Sequence, residues 1–110
     1  MTIAAMRGVL VPLQTAATTG DGVVLAIPSS FRNHTIFIRG TDIPSAGAVQ
    51  VETADSFDYA GTWAPIGGGP ITVPDGEVVL QFEGVYQFIR ARVTTTVTSG
   101  TLDVNYLGAP

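Results

Sequence analysis

Four groups of residues in this chain of 110 have types and spacings that could do chemistry. The first is His34, the one histidine, beside Asn33 at the head of an apolar run. A catalytic imidazole needs a nucleophile and an orienting carboxylate close in space, and the neighbouring sequence supplies neither. It reads as an exposed polar residue at a strand edge. The second group is Glu52, Asp55 and Asp58, acids recurring at every third position. Three carboxylates on one loop could hold a hard cation such as Ca²⁺, which takes roughly six to eight oxygens. The spacing departs from the EF-hand pattern, so these acids read as a solvated loop and no metal site is assigned. The third group is Phe57, Tyr59 and Trp63, rings that could stack on a sugar or anchor an interface; Trp63 is also the right size to fill a core between sheets. The fourth is Arg7 and Arg32, which have no carboxylate partner nearby in sequence and could pair with acids of a neighbouring subunit.

Composition narrows what such residues can be for. Nine acids face five basic residues, all arginine, for a net charge of −4. A protein that neutralises phosphates needs a basic surface, so nucleic acid is excluded as a partner, and an anionic membrane by the same sign. Cysteine is absent, which removes thiol nucleophiles, disulfides and cysteine-based zinc sites. The GxSxG, Walker A, HExxH and GxGxxG patterns are missing, and the glycines 67–69 lack the lysine and helix of a phosphate cradle. The expectation is a protein that is not an enzyme and carries no cofactor. No apolar run is long enough for a spanning helix, and the start, MTIAAMRGVLVPL, lacks the charged region and long apolar stretch of a signal peptide.

The elements that position these residues are strands. Thirteen glycines and seven prolines argue against long helices, and no window has helical period. Val9 to Leu13 is a short apolar run interrupted by Pro12, hence an edge strand; a polar, turn-rich stretch follows. Strands are expected at 23–27, 34–39, 48–53, 62–66, 71–73, 77–83, 86–97 and 101–107. Val49 and Val51 alternate with Gln50 and Glu52, as in a half-buried strand. The adjacent apolar pair Phe88 and Ile89 implies a bulge or burial on both faces. The Thr98-Ser99-Gly100 turn makes the last two strands an expected hairpin. About eight or nine short strands with regular turns predict an all-β fold, an antiparallel β-sandwich of jelly-roll or immunoglobulin-like topology. Residues 1–13 read as an N-terminal arm and edge strand, and 14–110 as a single domain.

Two segments resemble a known family. GAVQVETADSFDYAGTWAPIG (47–67) is similar to the V-x-V-x-x-S-x-D-G-x-x-W-x-x-hydrophobic-G segment of small β-sandwich virion proteins of tailed bacteriophages, with Tyr59-Ala60-Gly61 where an Asp-Gly turn is commoner. FEGVYQFIRARVTTTVTSGTLDVNYLG (82–108) resembles their closing segment. The first 46 residues share no motif with them. The resemblance implies a structural protein of the virion: a capsid decoration (cement) protein on the outside of the phage head, made in the host bacterial cytoplasm, binding the major capsid protein and assembling as a homotrimer. Its alternative is a tail, baseplate or capsid-surface adhesion module that binds host glycan. The residues expected at its interfaces are Met1, Thr2, Ile3, Met6, Arg7, Val9 and Leu10 of the arm, with Arg32, Phe57 and Tyr59.

Overall fold

The computed structural model describes residues 9–43 and 46–110, and the side chains from Leu10 onward. Among them are nine strands: β1 (Val9–Ala17), β2 (Leu25–Ala26), β3 (Asn33–Thr41), β4 (Gly47–Ala54), β5 (Ala64–Pro65), β6 (Ile71–Val73), β7 (Gly76–Glu83), β8 (Phe88–Thr95) and β9 (Thr101–Ala109). One sheet has the order β1-β9-β3-β7, the other β2-β8-β4-β5 with β6 also on β4, and every pairing is antiparallel. The pairs nest: β1 with β9, β2 with β8, β3 with β7, β4 with β5. This is one long hairpin rolled up so that successive strand pairs fall on alternate sheets, the connectivity of a jelly roll. The immunoglobulin order, which sets the first, second, fifth and fourth strands side by side, is not the one adopted.

The core follows from alternation. Ile36 and Ile38 of β3, with Leu102, Val104 and Tyr106 of β9, point inward from the first sheet. Val49 and Val51 of β4, with Ile89, Ala91 and Val93 of β8, meet them from the second. Fully burying each of these side chains stabilises the fold by about 1.5–3 kcal/mol, less for alanine.

Three readings of the sequence are corrected here, and one open alternative is decided. The first strand runs on to Ala17, into the polar, turn-rich stretch that follows Leu13, through two register shifts that bend it toward the second sheet. There the Gln14 amide donates to the carbonyls of Ala91 and Gly20, filling a gap beside β8 that the two-residue β2 leaves open. The segments at 23–27 and 62–66 keep only two paired residues each. The last two strands are not a hairpin: β8 and β9 lie in different sheets, because their apolar faces pack across the sandwich and not side by side. For Phe88 and Ile89 the second alternative holds, cover on both faces and no bulge: Ile89 points into the core and Phe88 is half-buried outside against Phe57.

Candidate interaction site

The residues expected at an interface fall in three places. Met1, Thr2, Ile3, Met6 and Arg7 lie outside the described residues. Val9 opens β1 opposite Gly108, and Leu10 is exposed on the outer face of the first sheet opposite Leu107. The same face carries a row in register across four strands, Pro12, Asn105, Phe37 and Val79, apolar except for Asn105. Phe57 and Tyr59 belong to the loop after β4 in the other sheet, so the structure does not gather all these residues into one patch. Arg32 is exposed at the turn into β3, where Asn33, Glu83 and Gly84 complete an open cleft.

The loop at 55–63 is the most elaborately supported of the three. Phe57 and Tyr59 are 62% and 45% exposed, whereas Trp63 is only 2% exposed. Trp63 does not fill the core between the sheets, as its size suggested. It lies on the outer side of the second sheet, with the Arg90 guanidinium 4.3 Å from its ring centre, a favourable cation–π geometry. Its indole N–H donates to the Tyr59 carbonyl at 2.9 Å. The Tyr59 amide donates to the Ser56 carbonyl, the Ser56 hydroxyl donates to Asp58, and Phe57 meets Phe88 edge-on. Trp63 is thus the pin that folds the loop back, and Phe57 and Tyr59 are the rings it holds toward solvent.

Beneath the pin is a buried ion network that the sequence reading missed. Glu52 points away from the core, as alternation requires, yet is only 1% exposed. Its Oε1 accepts from Arg90 Nε at 2.7 Å and Arg92 Nε at 3.1 Å, and its Oε2 accepts from the Gln50 amide at 2.6 Å. Asp21, from the β1–β2 connection, lies 3.6 Å from Arg90. Burial pushes the Glu52 carboxyl up, but the hydrogen bonds from Arg90, Arg92 and Gln50 outweigh it and hold the group below the usual carboxylate range. The signal was available: an acid on the outward parity of one strand and two arginines on the outward parity of another.

The same network also keeps the three acids apart. With Glu52 committed to two arginines and Asp58 to Ser56, the three acids do not converge, and among the described residues no three metal-ligating side chains do. Nor is His34 an exposed edge residue. It faces the core in step with Ile36 and Ile38, and is 2% exposed. Its Nε2 donates to the Gly84 carbonyl at 2.8 Å, so Nδ1 accepts from the Tyr106 hydroxyl at 2.7 Å. Phe82, Tyr86 and Tyr106 surround the ring, and burial pushes the Tyr106 phenol up to about 12. The arrangement closes one end of the core and leaves both imidazole nitrogens occupied.

No family model and no curated protein matches the sequence. Among solved structures, the crystal structure titled SPBc2 prophage-derived protein YomS is similar, with a TM-score of 0.68, 15% identity and 99% of each chain covered. At that identity the likeness is one of fold: from end to end, this chain folds like a prophage-derived protein.

Proposed function

We propose that this chain is a structural component of a tailed-phage particle, a decoration (cement) protein that binds the outer surface of the head through the major capsid protein and stabilises the shell, assembling as a homotrimer. The observation that carries the reading is the full-length likeness to a prophage-derived protein in a jelly-roll fold, an architecture used by viral capsid domains. The closing segment at 82–108 and the segment at 47–67 support it by their resemblance to tailed-phage virion proteins.

The physical role is mechanical. Two sheets locked by a continuous core form a stiff block, and exposed apolar positions such as Leu10, Val79 and Phe57 supply contact area. A single contact of this kind is weak. Repeated over a shell it acts through effective concentration, and binding the assembled state in preference to the free subunits stabilises that state by mass action. The test is co-sedimentation of the purified chain with phage heads that lack it, followed by heating the heads. Saturable binding and a higher temperature of DNA release are expected. Heads that neither bind the chain nor gain stability overturn the reading.

The exposed rings of Phe57 and Tyr59 favour a second reading, an adhesion module that stacks these rings on host glycan. Trp63 is buried against Arg90 and is not a third platform. Glycan binding by the isolated domain, lost in Tyr59→Ala, decides for this reading over the first.

A further inference from the structure

Among the described residues five strands lie at the edges of the two sheets, and one of them is left open in an unusual way. The edges of the second sheet are two or three residues long. On the first sheet, β1 carries Pro12 and bends toward the second sheet, where the Val23 amide covers its Leu13 carbonyl. The opposite edge, β7, is eight residues long, has no proline and pairs with β3 on one side only.

The register identifies its free groups. The Gly84 amide donates to the Arg32 carbonyl, one step beyond the pair Asn33 and Glu83. Bonded and non-bonded pairs alternate along an antiparallel ladder. The amides and carbonyls of Glu77, Val79, Gln81 and Glu83 therefore face away from β3; among the described residues no main-chain hydrogen bond reaches them, and one side chain does, the Tyr86 hydroxyl donating to the Glu83 carbonyl at 3.4 Å. The inward side chains tell the same story. Val78, Leu80 and Phe82 point to the core but are only partly buried, unlike Ile36 and Ile38 beside them. A long edge with unspent hydrogen bonds and half-covered apolar residues is a template for one more strand.

We propose that this edge accepts residues 1–8 of a second copy of the chain. The segment, MTIAAMRG, matches β7 in length and has no proline or acid. It enters the fold at β1, on the opposite edge of the same sheet. Crossing from β1 to β7 spans three strand spacings, about 14 Å. Eight extended residues reach at most about 28 Å, so a chain folding back on itself spends half the segment before pairing begins. A second copy spends none. Donor on one edge and acceptor on the other make a head-to-tail contact, which closes into a ring when the rotation permits. The inference deepens the assembly reading above and rests on it only for the expectation that copies act together.

Amide hydrogen exchange of the full chain, beside a variant lacking residues 1–8, is the test. At high concentration the Val79 and Gln81 amides should exchange about tenfold more slowly in the full chain, a difference that fades on dilution as the native mass falls. Gln81→Pro removes an outward amide without touching the β3 ladder, and should lower the native mass while leaving Trp63 emission unchanged. If that variant fails to fold, the truncation decides alone, since it leaves every described strand intact. Equal exchange in both chains, or protection in a monomer that dilution does not change, overturns the proposal. A chain that exchanges strands but ignores phage heads refutes the cement role and leaves this inference standing; one that binds heads with the β7 amides open does the reverse.

Discussion

Replacing Glu52 with glutamine keeps the shape of the side chain and removes its charge, leaving Arg90 and Arg92 without their shared partner. Removing one member of a buried ion pair costs about 3–5 kcal/mol, because the other charge stays behind in a poor solvent. Here Arg92 is about a third exposed and Asp21 lies 3.6 Å from Arg90, so water and a second carboxylate relieve part of the penalty. That places the cost near the lower end, about 3 kcal/mol. With an unfolding entropy of roughly 2.1 cal/mol/K per residue, Tm should fall by about 13 °C. The acid limb carries a second signature. The Glu52 carboxyl is held below its ordinary value in the folded state, so its contribution is fully present above the unfolded pKa of about 4.3 and is lost as pH falls through the folded value. Glu52→Gln should remove that part of the acid destabilisation. Denaturant melts at neutral pH and across the acid range measure both. A loss under about 0.5 kcal/mol, the scale of an exposed pair, with an unchanged acid limb, refutes the network as a structural element.

Further outcomes follow from other contacts. Tyr106→Phe leaves His34 Nδ1 buried without a donor and should cost about 1–3 kcal/mol in a urea melt. It should also abolish an alkaline limb in which the wild type, stable below the unfolded phenol value near 10, loses about 1.4 kcal/mol per pH unit up to about 12. Gly100 has φ near +80°, and a Cβ there meets the carbonyl oxygens of Thr41 and Asp42; Gly100→Ala should destabilise by about 1–3 kcal/mol by thermal melt. Trp63→Ala should cost about 3 kcal/mol and turn the 55–63 loop into the first site of proteolytic nicking, with the core strands still protected. Trp63 is the one tryptophan, so its emission should shift toward that of exposed indole in Glu52→Gln if the pin loosens with its base.

Alternation in the sequence identified the side of each strand but not what lies over it. Val49 and Val51 face the core and Gln50 and Glu52 face away, as read, yet Glu52 is sealed because a loop folds back over an arginine on the neighbouring strand. That return depends on contacts between residues 52, 63 and 90, which no local window contains. His34 shares its parity with Ile36 and Ile38, so its burial was legible; what was not is the Tyr106 hydroxyl, far along the chain, that makes burial tolerable. The all-β class followed from glycine, proline and β-branched content. The pairing of strands did not, since a glycine turn joins a hairpin or a crossover equally well, and the choice at 96–100 falls to the two apolar faces that meet across the core.

The nesting of the strands has a consequence for how the protein comes to exist. Val9 pairs with Gly108, nearly the whole chain apart, and β9 sits between β1 and β3. The innermost pairs, β4 with its neighbours β5 and β6, involve short loops and can close early; each outer pair spans a longer loop, which ranks the chain among slow, high-contact-order folders working in milliseconds to seconds. A nascent chain that has not yet released β9 lacks the middle of a sheet and not its margin. It holds β1 and β3 apart with two raw strand edges facing each other, the kind of surface that aggregates. Among the described strands, the one furthest along the chain therefore acts as a keystone: β9 must be made before β1 has anywhere to go.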